Sequence, residues 1–355
     1  MSADSEVLAA EPSPSPSPIA TLFPGYFALV MATGIVAIAL DQQDITWLST
    51  ALYWIAAIGY VVLAAMLIAR IVLFRSRFMA DVTNHAKGFA FLTTVAGINV
   101  LGAASGIIHG WWDLALVLWW IGVVLWVIFT YITLISVVIL DGKPGLENGI
   151  NGTWFLLTVA TQSIAVLGAL LLPMHPSTAL TFTVLCCFTV GIVLYLIVMT
   201  MVFLRWTFTK LTATEVDPPA WIAAGAVAIT VLAGSNILIA RDASERIELL
   251  VPFIEGMVIL AWATATFWFP LMVAIGVWRH LVKRVPLRYH PSYWSLVFPI
   301  GMYSAATFRM RQATDLEILG WLPKLALAGA FVAWSATAFG IAHLGVTTAR
   351  GRRRT

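Results

Sequence analysis

Long apolar segments alternate with short polar connections along almost the entire chain. About 20 apolar residues span a bilayer as a helix, and lipid offers no partners for an unpaired backbone. The pattern therefore predicts membrane-spanning helices. Ten such segments cover residues 24–40, 47–74, 88–108, 111–140, 150–172, 178–206, 218–240, 249–280, 291–308 and 321–347.

The composition supports a membrane environment. Hydrophobic residues make up 61% of the 355 residues and charged residues 10%, with a mean hydropathy of +0.93. A soluble domain carries about 25% charged residues, so a soluble fold is excluded. The net charge of +3 is spread over short connections, which does not favour nucleic acid binding. The adjacent Cys186 and Cys187 fit no zinc or redox spacing, and no cofactor or metal is expected.

The basic residues predict the orientation. With the N-terminus inside, the outer connections contain only five of the 20 Lys and Arg residues: Arg241, Arg246, Arg309, Arg311 and Lys324. Basic residues favour the cytoplasmic side, so both termini are predicted to be cytoplasmic and the protein to lie in the inner or plasma membrane. We expect a disordered Pro/Ser-rich tail over residues 1–22, a membrane domain over 23–347 and a basic tail over 348–355.

The odd-numbered segments differ from the even-numbered ones. Five landmark residues recur about two segments apart, each near the start of an odd-numbered segment: Pro24, Gly88, Trp154, Trp221 and Trp294. Odd segments carry small and polar residues at mid-depth, whereas even segments such as residues 117–129 are bulky and apolar. Small residues also let membrane helices pack closely. The restriction to alternate segments favours five tandem helical hairpins, with an inner ring of five odd helices around a pore and an outer ring of five.

Charged residues are missing from the middle of the predicted segments. Asp113, Glu255 and His343 lie near segment ends, and the other histidines are single residues in connections. Ionisable groups inside membranes usually mark proton relays or ion sites. An uncharged path can still prefer anions through helix N-termini and hydroxyl groups. A proton-coupled carrier using Glu255 or His343, and a membrane-embedded enzyme using loop histidines, remain alternatives.

Four motifs resemble one known family. "PGYFALVMATGIVAIAL" (24–40) and "YWSLVFPIGMYSAAT" (293–307) are similar to first- and ninth-helix signatures of the tellurite-resistance/C4-dicarboxylate transporter family. "FAFLTTVAGINVLG" (89–102) and "NGTWFLLTVATQSIAVLG" (151–168) are similar to its third and fifth helices. That family includes slow-type anion channels of guard cells, malate permeases and sulfite efflux pumps. The resemblance covers about residues 22–347.

The resemblance implies ten helices in five hairpins, a pore in each subunit and a homotrimer. It assigns Phe298 as the ring that plugs the pore at mid-depth. Pro299 interrupts the helix there, since proline lacks an N–H, and Gly301 leaves room beside the ring. The resemblance, together with the stripes of small residues, predicts a kink and a pore lining. The residues predicted to form them are Pro299, Gly301, Ala305, Gly34, Thr94, Gly97, Thr158, Thr161, Thr230 and Gly234.

The functional hypothesis is transport of small anions or organic acids rather than catalysis. Candidate solutes are C4-dicarboxylates such as malate, sulfite, chloride, nitrate and tellurite-type oxyanions. No residue in the sequence selects among them, and the sequence does not separate a channel from a carrier.

Overall fold

The computed structural model describes residues 17–213, 218–287 and 289–352. All regular elements in these ranges are helices, which confirms the all-α class. The predictions for residues 1–16 and 353–355 lie outside the described residues. The ten long helices are α1 Ala28–Asp41, α2 Thr46–Leu73, α3 Thr93–His109, α4 Trp112–Ile139, α5 Leu156–Leu171, α6 Thr178–Phe208, α7 Ile222–Ile239, α8 Glu245–Val277, α9 Trp294–Thr314 and α10 Leu322–Arg352.

Nine of the described helices are long and apolar enough to cross a membrane, and α9 is the long helix outside that set. The predicted ninth segment ended at residue 308, but α9 continues to Thr314. Arg309 and Arg311 therefore lie within the helix, and their assignment to an outer connection is wrong. A helix continues through polar residues when its backbone hydrogen bonds continue, which hydropathy alone does not detect. At the other end, α10 extends beyond residue 347 to Arg352.

The helices form two layers. Each odd-numbered helix packs against the next odd-numbered one, and α9 packs against α1, so these five helices form a closed ring. Each even-numbered helix packs outside the ring against the odd helices before and after it, with α10 contacting α9 and α1. In the most apolar stretches of the odd spans α1, α3, α5 and α7, 83–94% of residues are buried, against 17–39% in the even spans. We call the odd helices the inner ring.

A short 3₁₀ turn precedes every helix of the inner ring. These five lead-in turns are Pro24–Phe27, Gly88–Leu92, Gly152–Phe155, Pro218–Trp221 and Pro291–Tyr293. Each contacts the next, and the fifth contacts the first, so they form a second closed ring. All five inner-helix N-termini therefore lie at one end, the lead-in end, where their dipoles contribute partial positive charge.

Two buried arginines hold lead-in turns in equivalent places. Arg70 of α2 donates through Nη1 to the Leu22 carbonyl at 2.8 Å, and Arg205 of α6 donates to the Ile150 carbonyl at 2.7 Å. Each carbonyl lies two residues before a lead-in turn. Arg70 also pairs with Asp81, which accepts a further bond from Lys87. The arginines thus satisfy carbonyls that precede the helical turns and attach each outer helix to its own inner partner.

Three tryptophans of outer helices donate indole N–H bonds to threonines of the inner ring. The pairs are Trp126–Thr161 at 2.9 Å, Trp262–Thr307 at 3.1 Å and Trp334–Thr33 at 3.0 Å. In each pair, the tryptophan lies on an even helix and the threonine on the following inner helix, with α1 following α10. The repeated contact gives the inner threonines a role in helix packing.

Candidate functional site

The centre of the inner ring contains one small cavity to which all five inner helices contribute. Its volume is about 10 Å³, close to the lower limit for holding one water molecule. At the level of this cavity the five inner helices are therefore closely packed. The lining residues are Ile35, Ile38, Asn99, Val100, Ala103, Ser163, Val166, Ile229, Leu232 and Met302.

Two polar residues, Asn99 and Ser163, are among the lining residues, but the surface of the cavity itself is apolar, and the Asn99 amide lies against Gly122 of the outer helix α4. Asn99 Nδ2 donates to Ser163 Oγ and to the Val95 carbonyl, both at 3.0 Å, and Ser163 donates to the Ala160 carbonyl. The Asn99 Oδ1 atom is buried and has no hydrogen-bond partner among the described residues. Sequence reasoning did not single out either residue. In the sequence, each of them is a polar residue within an apolar segment. Residues that only pack helices together show the same pattern, so the pattern does not identify a cavity residue.

Phe298 lies on the face of α9 that is directed toward the ring interior. A side chain at Gly301 would contact Ile35 and Val36 of α1, while Pro299 lies against Gly225 of α7. The face between these two contacts carries Met302, which lines the cavity. Phe298 precedes Met302 by four residues, one turn along the same face. It is 2% exposed, so the ring is buried and is not directed into lipid.

The close contact between α7 and α9 depends on glycine. A Cβ atom at Gly225 would lie 2.9 Å from Pro299 Cγ and 3.2 Å from Pro299 Cα. Any larger residue would separate the helices beside Phe298. Gly225 is thus a structural determinant of this site that the stripes of small residues did not identify.

Several predicted lining residues contact neighbouring helices. A Cβ at Gly34 would meet Val100 of α3, one at Gly97 would lie near Tyr60 of α2, and one at Gly234 would meet Val258 of α8. These glycines permit close approach between helices, and the cavity surface is formed by other residues. Their role in lining an open path stays a prediction.

The predicted threonines and Ala305 are all buried. Thr161 and Thr230 donate to backbone carbonyls of their own helices, and Thr94 donates to the Phe91 carbonyl in the preceding lead-in turn. Thr161 also accepts the bond from Trp126. The Thr158 hydroxyl has no hydrogen-bond partner among the described residues. Thr158 does not line the cavity, so its role in an open path stays a prediction.

The groups named for alternative functions lie away from the cavity. Glu255 is on the outer helix α8, and His343 is exposed near the end of α10, where its ring stacks on Phe339. His343 lines an apolar groove with Tyr289, whose pKa is raised by burial of its hydroxyl. Within the described ranges, no three His, Cys, Asp or Glu side chains form a group that could hold a metal.

Comparisons with known proteins identify related membrane proteins. An uncharacterized membrane protein of Mycobacterium tuberculosis is 36% identical over 161 residues, covering 45% of this chain and 81% of the relative. Two uncharacterized transporters of Methanocaldococcus jannaschii are 24% and 23% identical, covering 84% and 86% of this chain and 87% and 88% of their own lengths.

The family comparison covers most of the chain. The profile of SLAC1, described as a voltage-dependent anion channel, matches residues 21–342. This range includes the inner ring, the lead-in turns and the cavity, and it confirms the resemblance drawn from the four motifs. The chain belongs to the SLAC1 family of voltage-dependent anion channels.

Proposed function

We propose that the protein conducts small anions across the membrane along the axis of the inner ring. The closed ring of five buried helices around a nearly uncharged centre is the observation that supports this path. Family membership supports anion transport in general. The ten long helices then span the membrane as five hairpins, and α9 spans it despite its polar end because it is enclosed by α1, α7 and α10.

The lead-in end is assigned to the cytoplasm. Basic residues of the connections at this end include Arg75, Arg77 and Lys87, and such residues favour the cytoplasmic side. The five helix N-termini add partial positive charge at the same mouth. Anions would therefore be concentrated at the cytoplasmic entrance, without a fixed charge at mid-depth to retain them.

Phe298 is proposed as the gate. Its burial on the interior face, one turn before Met302, supports a role in closing the path. Pro299 and Gly301 hold α9 against α7 and α1 on either side of this face. Movement of the aromatic ring, together with small displacements of the inner helices, would open a path that is closed here to anything larger than one water.

The proton-coupled carrier and the enzyme are weaker candidates. Glu255 and His343 do not line the cavity, so neither is placed to couple a proton to a solute on the axis. Solutes remain those of the sequence hypothesis, including malate and other C4-dicarboxylates, sulfite, chloride, nitrate and tellurite-type oxyanions. A homotrimer with one path per subunit is also proposed, on the family resemblance.

The deciding experiment is a solute panel on the purified protein in liposomes. Efflux of chloride, nitrate, sulfite and malate is measured under a membrane potential, with and without a proton gradient. We expect potential-driven flux that is independent of the proton gradient. Flux that requires the proton gradient would favour the carrier, and absence of flux for every anion, with a folded protein, would contradict anion transport.

A further inference from the structure

Arg309 lies on the interior stripe of α9 beyond the cavity. The residues Phe298, Met302, Ala305 and Arg309 are spaced i, i+4, i+7 and i+11, which places them on one helix face. Met302 lines the cavity, so Arg309 lies about 10 Å farther along the same face, given a rise of about 1.5 Å per residue. It is partly buried. The stripe therefore carries an arginine toward the end opposite the lead-in turns.

Polar residues of two neighbouring inner helices occupy matching positions. On α7, Ile229 and Leu232 line the cavity, and Asn236 follows one turn later on the same stripe. On α1, Ile38 lines the cavity, and Gln42 follows four residues later with helical backbone. The helices α7, α9 and α1 are consecutive in the ring. A polar layer therefore lies beyond the cavity, on the side opposite the lead-in turns, and one part of it is formed by Asn236, Arg309 and Gln42.

The guanidinium of Arg309 is held in position but is not neutralised. Its Nε donates to Asn236 Oδ1 at 2.9 Å, and its Nη1 donates to Gln312 Oε1 at 3.0 Å. Asn236 is 3% exposed, so the anchor is buried. Among the described residues no carboxylate forms an ion pair with Arg309, whereas the nearby Arg311 pairs with Glu317 at 3.5 Å.

This arrangement leaves donors for a ligand. The N–H of Nε and one N–H of Nη1 donate to neutral amide oxygens. Within the described chain, the Nη2 group has no protein acceptor. The two terminal nitrogens of a guanidinium match a pair of oxygens on one anion. Arginine stays charged at any physiological pH, and an unpaired charge at this depth is costly unless an ion or water compensates it.

We propose that Arg309 forms an oxyanion recognition site at the end of the path opposite the lead-in turns, with Asn236 as its positioning residue. The inference rests on the proposed function, because it names the chemical class that the path selects. An anion with two coplanar oxygens, such as a carboxylate or nitrate, accepts from the terminal nitrogens of Arg309. Chloride is a single spherical atom, so the two N–H groups would converge on one acceptor and would not form two parallel bonds, and it gains less from the planar fork.

The transport test uses Arg309→Gln, Arg309→Lys and the control Arg311→Gln in liposomes. Charge-assisted hydrogen bonds indicate a rise of roughly 10- to 100-fold in the half-saturating nitrate or malate concentration for Arg309→Gln. Arg309→Lys is expected to retain chloride flux and to lose the preference for oxyanions. Arg311→Gln should stay within about twofold of the parent, because its charge is already paired. Unchanged concentration dependence in Arg309→Gln would overturn the proposal.

A binding test separates this inference from the proposed function. Phenylglyoxal modification of the parent protein is mapped by mass spectrometry at Arg309 and Arg311, with nitrate, malate or chloride present. We expect nitrate and malate to protect Arg309 more than chloride does, and Arg311 to be unaffected. Protection without any flux would support the site and contradict anion transport. Flux without protection of Arg309, and with equal anion selectivity in Arg309→Lys, would overturn the site alone.

Discussion

The indole Nε1 of Trp334 donates a hydrogen bond to Thr33 Oγ1 at 3.0 Å, joining the last long helix to the first across 301 residues of sequence. The contact repeats the Trp126–Thr161 and Trp262–Thr307 bonds. The outer layer is therefore attached to the inner ring by a recurring aromatic donor. The Trp334–Thr33 bond also joins the last hairpin to the first, because α10 contacts both α9 and α1.

Trp334→Phe tests the contribution of this bond. The substitution removes the donor and keeps most of the apolar volume. Side-chain hydrogen bonds between membrane helices contribute about 0.6 kcal/mol on average, so we expect a loss of stability of about that size. Reversible unfolding in detergent micelles measures it. Trp321→Phe is the control, since Trp321 is 63% exposed, and a larger loss in the control would contradict the assignment.

Phe298→Ala tests the gate. Removing the ring opens space on the interior face beside Met302, and we expect anion current in planar bilayers to rise at least several-fold. Truncating a buried phenylalanine also costs about 3–5 kcal/mol of stability, so folding and oligomeric state are checked by size exclusion.

Phe188→Ala is the matched control for the gate. Phe188 is fully buried on the outer helix α6 and lies against Gly234, so its truncation creates a comparable void away from the axis. We expect this variant to lose stability without a gain in current. Equal currents in the two variants would show that loosened packing, rather than the position of Phe298, raises conduction.

Gly225→Ala tests the approach of α7 to α9. The new Cβ would lie 2.9 Å from Pro299 Cγ, which forces the helices apart or the ring of Pro299 to move. We expect destabilisation of about 1–3 kcal/mol from overpacking and a changed anion current. Gly256→Ala on α8 is the control, because no atom lies near its added Cβ, and helix propensity favours alanine there by up to about 1 kcal/mol. The two substitutions should thus have opposite signs in thermal denaturation.

Asp81→Asn tests the buried ion pair at the lead-in end. Arg70 is 2% exposed and pairs with Asp81 while holding the Leu22 carbonyl. Leaving a buried charge without its partner costs roughly 3–5 kcal/mol. Lys87→Gln removes the exposed second partner of Asp81, and a surface pair contributes about 0–1 kcal/mol. Chemical denaturation should separate the two variants clearly, and similar losses would contradict a special role for Arg70.

Hydropathy and residue size determined the helices and their two classes. Apolar segments of sufficient length form helices because the bilayer leaves backbone groups no other partner. Small residues in alternate segments correctly indicated the buried helices, since only small side chains let five helices meet closely. The landmarks Pro24, Gly88, Trp154, Trp221 and Trp294 fell in or immediately after the five lead-in turns. The extent of α9 was missed, because Arg309 and Arg311 lowered its hydropathy without ending its helix.

Only the tertiary structure decided which face of each inner helix points to the axis. An inner helix is buried on every side, so periodicity cannot separate the axis from a neighbouring helix. Thr161 and Gly234 face outer helices, and the Asn99 amide lies against Gly122 of α4, whereas Ser163, Val166 and Met302 meet at the cavity. The sequence alone determined which segments avoid water. The packing of the ring determined which side chains meet at its centre, because that depends on contacts between residues far apart in the chain.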